Sequence, residues 1–257
     1  MSAVRAVQPT PSGRSGPASF LPRWDVDEVD GAVVVIDVIR AFTTAACAFA
    51  AGADAIYLVG TVEEALAFKR RTVGALAVGE VGGRRPDGFD LPNSPVIVGR
   101  ADLAGRTLVQ RTSAGTQGVV AARSATRLWC ASLVVASATA GAVQASGHGA
   151  PTYVITGIRP DGPDVNVDDR EAAGLIERIR LGQDPGIVAT AERVRTSEEA
   201  GYTLALGDSH VDPGDIELAC DVDRFPFAME ATRTDDGIRL LAVHPDGRPW
   251  PSARAVR

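Results

Sequence analysis

The sequence predicts an α/β fold built on a mostly parallel sheet, and three patterns indicate it. Residues Val33–Ile36 form a continuous apolar, β-branched run, as expected of a strand that is buried on both faces of a parallel sheet. An alanine-rich stretch, Ala41–Ala51, follows at helical length and ends at Gly52. Further short apolar runs then alternate with helical patterns along most of the chain. We therefore expect strands and helices to alternate in a single sheet with helices packed on it.

Caps and chain-breaking residues place the remaining elements. Thr61 and Glu64 have the spacing of a capping box that opens a helix to about Arg71, and Ser94-Pro95 suits the start of a short helix. Apolar runs predict further strands at Ala55–Val59, Ala75–Val78, Arg106–Gln110, Arg127–Ala131 and Pro151–Thr156. The other helical patterns lie at 117–123, before Ala145, at 167–180, within 185–206, and from 213 to 220.

The ends of the chain have a different composition. Residues 1–18 are rich in Pro, Ser and Gly, which predicts a mobile tail ahead of one α/β domain at 19–257, or of two subdomains within that range. Two apolar runs, Phe227–Arg233 and Ile238–Val243, flank the turn sequence Thr234–Gly237. This arrangement predicts a C-terminal β-hairpin, placed either as an antiparallel edge of the sheet or as a small subdomain.

Composition excludes several classes of protein. The chain has 257 residues, of which 45% are hydrophobic, so it can bury a large core. Its formal charge of −6 argues against a general nucleic-acid binder, and no apolar run reaches the 18 residues of a membrane span. The three widely spaced cysteines predict free thiols in a reducing cytoplasm. We expect a cytoplasmic protein without a nucleic-acid or membrane partner, and the apolar hairpin leaves a homodimer open.

Carboxylates follow several of the predicted strands. Asp37 and Glu80 each come directly after an apolar run, and the pair Asp168-Asp169 opens a helix that follows another strand. A turn rich in hydroxyl groups, Thr112–Thr116, precedes a further helix. The carboxyl ends of parallel strands meet at one edge of a sheet, where ligands bind. Hard oxygen ligands suit Mg²⁺, and such a turn can hold a phosphoryl group, so the pattern indicates phosphate chemistry.

Five arginines fall on the same predicted edge. Guanidinium groups pair with phosphate, carboxylate or sulfonate oxygens, although an exposed arginine is also an ordinary surface residue. Arg84 and Arg85 belong to a long loop, Val81–Asn93, of a length that is usually functional or disordered. The arginines predicted to bind an acidic substrate are Arg40, Arg84, Arg85, Arg111 and Arg159.

Other phosphate- and nucleophile-based sites lack their signatures. A phosphatase of the haloacid dehalogenase type needs a second Asp two residues after the first, and Ile39 stands there. The turn after the first strand has no glycine, so a dinucleotide fingerprint is absent, and no P-loop or nucleophile elbow occurs. His148, His210 and His244 are isolated in sequence and suit surface or packing functions, with His210 the least ordinary of them because Asp208 and Asp212 are nearby.

Several motifs in order resemble the 2-phosphosulfolactate phosphatase family (ComB). They are V-V-V-I-D-V-I-R-A-F-T-T at residue 33, G-E-V-G-G-R-R-P-D-G-F-D-L-P-N-S-P at residue 79, the T-S-A-G-T turn, V-D-D-R-E-A-A-G-L-I-E-R at residue 167 and D-I-E-L-A-C-D-V-D-R-F at residue 215. The resemblance implies a three-layer α/β sandwich and a Mg²⁺-dependent phosphatase. The implied reaction converts 2-phospho-3-sulfolactate to 3-sulfolactate and phosphate, a step of coenzyme M biosynthesis.

The resemblance also points to residues by motif, among them Asp37, Arg40, Glu80, Asp90, Asn93, the Thr112–Thr116 turn and Asp169, and the functions given to individual residues below are our own inference. Asp37, Glu80 and Asp169 are expected to hold Mg²⁺, and Asp90 or Asp168 to assist the water or the leaving oxygen. The remaining positions expected to bind substrate are Arg40, Asn93, Thr112, Ser113, Gly115 and Thr116, together with the arginines above. Two departures stand out: Ala114 replaces the Asn usual in the family's turn, and Ala172 replaces a Cys, which excludes a catalytic cysteine there.

Two other functions remain open at this stage. One is a phosphatase of the same fold and metal chemistry that acts on a different small acidic phosphate ester, because the fold does not fix the substrate. The other is a ligand-binding homologue without catalysis, against which the retained carboxylates argue. Whether a covalent phosphoenzyme forms is left open by the sequence.

Overall fold

A computed structural model describes residues 17–157, 166–207 and 209–251. Within these ranges the chain forms a large, curled, mostly parallel ten-stranded sheet with α-helices, so the predicted mixed α/β class with a mostly parallel sheet is confirmed. The three-layer arrangement and the division into domains stay predictions. No helix in the described ranges is both long enough and apolar enough to cross a membrane.

The elements are numbered in chain order. The strands are β1 Ser19–Pro22, β2 Ala32–Ile36, β3 Ala55–Leu58, β4 Leu76–Gly79, β5 Leu91–Pro92, β6 Thr107–Arg111, β7 Arg127–Ala131, β8 Thr152–Ile155, β9 Ala228–Thr234 and β10 Gly237–Val243. The α-helices are α1 Ala41–Ala50, α2 Val62–Arg71, α3 Pro95–Gly99, α4 Gly115–Ala121, α5 Ala136–Ala145, α6 Val167–Arg180, α7 Ile187–Arg195, α8 Glu198–Leu204 and α9 Asp215–Ala219. Short 3-10 turns lie at Arg23–Asp25 and Leu133–Val135.

The sheet consists of two parallel blocks that are joined by an antiparallel pair. Its strand order is β1-β8-β2-β7-β9-β10-β3-β6-β4-β5. Strands β9 and β10 pair antiparallel with each other, and they pair antiparallel with β7 and β3 on their outer sides. The expectation that this pair forms an edge or a subdomain is therefore wrong. The continuous apolar run at Phe227–Met229 could have indicated a central position for this strand pair, because such runs are typical of strands that are covered on both faces.

Local sequence explains the elements that position the site. All five residues of β2 are buried, so both faces of the sheet are covered at this strand. Nine of the ten residues of α1 are buried as well, which fits its small side chains. The capping box of α2 forms as predicted between Thr61 and Glu64, and Ser94 caps α3 by accepting the N–H of Ile97.

Curling of the sheet brings distant strand ends together. Strands β2 and β4 are separated in the sheet by five others, yet Asp37 after β2 and Glu80 after β4 line the same cavity. Residues that follow β6 and β8 also line it, namely Ser113 and Thr156. The prediction that these strand ends share one edge is confirmed by this arrangement.

Candidate active site

The candidate site is a cavity of about 450 Å³ at the carboxyl ends of these strands. Its walls come from the loops after β2, β4, β6 and β8, from the first turn of α6 and from α8. Among the described residues, its lining is dominated by charged groups: six carboxyl groups line it against the two guanidinium groups of Arg23 and Arg40. Most of the lining carboxyls are held in place by backbone N–H groups.

Asp37 sits at the floor of the cavity with a side chain that is almost fully buried. Its Oδ1 accepts the N–H of Ala41 at 2.8 Å, where α1 begins. On its other side Gly115 packs so closely that an added Cβ would lie 2.7 Å from Oδ2. Burial, and next the negative charge of Asp169, raise the pKa of Asp37 to about 8. A cation at this position would favour the ionised carboxylate.

Asp169 joins two neighbouring strands at their carboxyl ends. Its Oδ1 accepts the N–H of Val38 at 2.9 Å, just after β2. Its Oδ2 accepts the N–H groups of Thr156 and Gly157, each at 3.1 Å, just after β8. Burial, and next the charge of Asp168, raise the pKa of Asp169 above its usual range. Both carboxylate oxygens are thus already engaged by donors of the protein.

Asp168 occupies the same turn of α6 but keeps one oxygen without a protein partner. Its Oδ2 accepts the N–H of Ile39 at 3.2 Å, whereas its buried Oδ1 accepts no hydrogen bond within the described residues. Burial, and next the charge of Glu199 on α8, raise the pKa of Asp168 to about 8. This carboxylate therefore presents a free acceptor at the cavity.

Glu80 holds the loop after β4 against the turn after β6. Its Oε1 accepts the N–H of Ser113 at 2.5 Å, and its Oε2 accepts the N–H of Gly83 at 2.6 Å and the hydroxyl of Ser113 at 3.1 Å. The side chain is 7% exposed, so these bonds lie out of bulk water. Glu80 and Ser113 were both predicted at the site, and the structure brings them into contact.

The Thr112–Thr116 turn is closed by its own side chains. The N–H of Thr112 donates to Thr116 Oγ1 at 2.8 Å, and the N–H of Thr116 donates to Thr112 Oγ1 at 3.0 Å. Both side chains are buried, and neither lines the cavity. The turn was predicted to cradle a phosphoryl group with its N–H groups. Its structure shows instead that these N–H groups are largely used to fix the turn and to hold Glu80.

Arg40 reaches the cavity from a buried ion pair. Its Nη1 lies 3.1 Å from Oδ2 of Asp215 and donates to the carbonyl of His210 at 2.9 Å. Asp215 in turn accepts the hydroxyl of Ser94 at 2.7 Å, so four segments meet at this pair. Burial lowers the pKa of Arg40, and the charge of Asp215 opposes that effect. Asp215 was not singled out by the sequence.

Other predicted residues are not brought to the cavity. Asp90 accepts the amine of Lys69 at 2.7 Å and the N–H of Ala77 at 2.7 Å, so the candidate acid or base at this position braces β4 instead. Arg111 donates to the backbone carbonyl of Glu80 at 2.8 Å, and Arg85 donates to that of Asp90 at 3.0 Å. Neither arginine lines the cavity, nor does the exposed Arg84, and Arg159 lies outside the described residues. Asn93 does line the cavity, and it is 4% exposed.

Some lining residues were missed by the sequence. Helix α8 contributes Glu198, Glu199 and Tyr202, and the 3-10 turn after β1 contributes Arg23, whose guanidinium donates to the carbonyl of Thr156. Acidic residues in a first helical turn are an ordinary feature of helices, so no sequence signal marked Glu199. Arg23 follows a strand that the sequence did not predict.

Comparison with known proteins matches this chain to one family. The model of the family described as 2-phosphosulpholactate phosphatase matches residues 22–211. This chain belongs to the 2-phosphosulfolactate phosphatase family. Every lining residue of the cavity, from Arg23 to Leu206, falls inside the matched range.

Relatives that carry the printed name "Probable 2-phosphosulfolactate phosphatase" support this membership. A protein of Carboxydothermus hydrogenoformans is 44% identical over 121 residues, which cover 47% of this chain and 50% of the relative. A protein of Deinococcus radiodurans is 38% identical over 182 residues (70% and 65%), and one of Bacillus subtilis is 34% identical over 168 residues (65% and 72%). This chain thus spans about half the length of the first relative and 65% of the second.

The donor set of this family member suits a hard divalent cation. Buried carboxylates crowd one another, and the lining oxygens are the ligands that Mg²⁺ prefers. Within the described ranges, however, no three or more His, Cys, Asp or Glu side chains are arranged to hold a metal ion. Ligation of Mg²⁺ by Asp37, Glu80 and Asp169 together therefore stays a prediction, and both oxygens of Asp169 already accept backbone N–H groups. All three residues line the cavity, Asp37 and Asp169 from the sheet block that contains β2 and β8 and Glu80 from the block that contains β4.

Proposed function

We propose that this protein is a phosphoric monoester hydrolase that converts 2-phospho-3-sulfolactate to 3-sulfolactate and phosphate. The observation that carries the proposal is the coincidence of the family match with the cavity, since all lining residues lie within 22–211. The relatives' printed names support the same substrate. The same resemblance is our reason for proposing that the reaction serves a biosynthesis of the coenzyme M type.

The cavity can bind both halves of such a substrate. Of the described arginines, Arg40 and Arg23 line it, and their guanidinium groups suit the carboxylate and sulfonate oxygens. The ion pair with Asp215 fixes the Arg40 guanidinium at one position, so it meets an anion without further ordering. Asn93 adds an amide that can hydrogen-bond an ester or hydroxyl oxygen.

We propose that Asp37 and Glu80 hold Mg²⁺ in this site and that Asp169 acts as a scaffold. When it is bound, Mg²⁺ neutralises phosphoryl oxygens and so supplies the electrostatic stabilisation on which phosphoryl transfer depends. The chain holds Asp37 by the Ala41 N–H and Glu80 by Ser113, so both carboxylates are ordered in advance. Of the two residues expected to assist the water or the leaving oxygen, Asp168 lies in the cavity and is our candidate.

The test is phosphate release from 2-phospho-3-sulfolactate by the native chain and by Asp37→Asn, each after treatment with EDTA and again after Mg²⁺ is restored. We expect turnover that needs Mg²⁺ and that falls at least a hundredfold in Asp37→Asn. The exposed Asp87 provides a matched control, because Asp87→Asn lies outside the cavity and leaves turnover unchanged. Turnover that EDTA does not reduce would show that the reaction does not need Mg²⁺. No release from this substrate, with release from another phosphorylated hydroxy acid, would change the substrate assignment.

A further inference from the structure

Four side-chain oxygens of the cavity wall are buried without a hydrogen bond within the described residues. They are Asn93 Oδ1, Asn166 Oδ1, Asp168 Oδ1 and Glu199 Oε2. Buried polar atoms are rarely left without partners in folded proteins. All four are acceptors, so an anion cannot satisfy them. Whatever fills this part of the cavity must bring positive charge or donor hydrogens.

Three of these oxygens come from two helices that pack together. Asn166 is the N-cap of α6, Asp168 lies in the first turn of the same helix, and Glu199 lies in the first turn of α8. Asn166 and Asp168 are 4% and 2% exposed. Helices α6 and α8 contact each other, and Glu199 lines the same cavity as Asp168. The fourth oxygen, on Asn93, comes from the other block of the sheet.

Local packing holds the Asn166 side chain in this position. Its amide lies directly against Gly157, where an added Cβ would overlap Nδ2. Gly157 thus leaves room for the amide at the end of β8, while its own N–H is bound by Asp169.

We propose that Asn166, Asp168 and Glu199 form a binding site for a further hard divalent cation, such as Mg²⁺ or Mn²⁺, on the α8 side of the cavity. Two carboxylates and one amide oxygen make a ligand set that such ions accept, with water completing the shell. Because only two of the three ligands are carboxylates, the site is consistent with the lack of a three-carboxylate group among the described residues. The inference rests on the proposed function only in placing the substrate beside these ligands.

Charge supports a second cation. In the part of the chain that the structure describes, six carboxyl groups line the cavity against two guanidiniums, and the proposed substrate carries a phosphate, a carboxylate and a sulfonate. A single divalent ion leaves this assembly strongly negative, and buried charges without compensation are costly. In this assignment Asp168 assists the reaction as a ligand of the cation, and Glu199 is the ligand that α8 contributes.

The experiment is a calorimetric titration of the metal-free full-length protein with Mn²⁺, in the absence of substrate. We expect two binding events per chain. The isosteric variant Glu199→Gln loses one event or weakens it at least tenfold, and Asn166→Ala does the same. Glu198→Gln is the matched control, since it changes an adjacent carboxyl that lines the cavity but is exposed, and it alters the titration less than twofold. Circular dichroism of each variant verifies that it is folded.

Several results would overturn the inference. One is a single event that is lost in Asp37→Asn and is unchanged in Glu199→Gln. Another is equal weakening by Glu198→Gln and Glu199→Gln, which would indicate a general effect of charge in the cavity. A chain that binds no Mn²⁺ would overturn both metal assignments. Because the titration uses no substrate, its failure is separate from failure of the phosphatase assay.

Discussion

The Arg40 guanidinium and the Asp215 carboxylate form an ion pair that is almost fully buried. Nη1 lies 3.1 Å from Oδ2, and the two side chains are 3% and 0% exposed. The remaining lone pairs of Asp215 accept the Ser94 hydroxyl and the N–H groups of Val96 and Asp212. This fully bonded carboxylate links α9 to α3 and to the loop after β2, so it couples the fold to the position of Arg40.

Removing the charge of Asp215 is expected to damage both stability and substrate binding. Asp215→Asn leaves the Arg40 cation buried without its counter-ion, which costs about 3–5 kcal/mol in the free energy of unfolding. The measurement is urea denaturation, combined with KM of the folded variant, which should rise as the guanidinium loses its fixed position.

Asp221 supplies the control for that experiment. It pairs with Arg224, but both side chains are about half exposed, at 50% and 47%. Asp221→Asn should change the free energy of unfolding by less than about 1 kcal/mol, because exposed ion pairs contribute little. Equal losses in the two variants would contradict the structural function assigned to Asp215.

Asp169 is expected to act as a scaffold, and its variant separates this function from metal ligation. Asp169→Asn places an amide NH₂ among the N–H donors of Val38, Thr156 and Gly157. The unsatisfied donors should cost roughly 1–3 kcal/mol in the free energy of unfolding. Chemical denaturation measures this loss, and titration of the folded variant with Mn²⁺ should retain the number of binding events.

The exposed Asp184 offers a comparison, because its side chain accepts the single N–H of Gly186, at 3.0 Å, among the residues that the structure describes. Asp184→Asn should leave stability nearly unchanged. If Asp169→Asn kept its stability but lost a binding event, Asp169 would be a ligand of the metal, as we first predicted from the sequence.

Asp90 and Asp168 were interchangeable candidates in the sequence, and the structure distinguishes them. Asp168→Asn should lower kcat by about a hundredfold or more, because it removes a carboxylate that lines the cavity. Loss of a group that assists proton transfer typically has an effect of this size. Asp90→Asn should keep kcat within about twofold, because Asp90 braces β4 through Lys69 and Ala77 outside the cavity. Steady-state phosphate release measures both. A larger loss in Asp90→Asn than in Asp168→Asn would reverse this assignment.

The sequence predicted most elements because their signals are local. The buried run of β2, the capping box of α2 and the limits of α6 depend on residues close to one another, and the structure confirms each. The strand-end carboxylates Asp37 and Glu80 were also predicted, since the rule for parallel sheets places such residues at one edge.

What the sequence did not predict depends on long-range packing. Glu199 lines the cavity because α8 packs against α6, and Asp215 binds Arg40 where α9 packs against α3. Asp215 opens one of the family motifs, but neither residue carries a local signal that assigns it to the site. The inward position of β9 and β10 likewise depends on the pairing of β7 with β9 and of β10 with β3. These residues are far apart along the chain, so no local pattern records their contact.

The last prediction concerns the close contact between Gly115 and Asp37. In Gly115→Ala the new Cβ would lie 2.7 Å from Asp37 Oδ2 and 2.8 Å from the Cβ of Ala41, and neither neighbour is the end of a flexible chain. We expect a loss of about 1–3 kcal/mol in the free energy of unfolding and at least a tenfold fall in kcat/KM, because overpacking moves the catalytic carboxylate. Gly118→Ala controls for overpacking alone, since its Cβ would lie 2.8 Å from side chains of Thr156 and Val35. That variant should lose stability while its kcat/KM falls much less. A Gly115→Ala protein with native kcat/KM would show that the position of Asp37 is not critical for turnover.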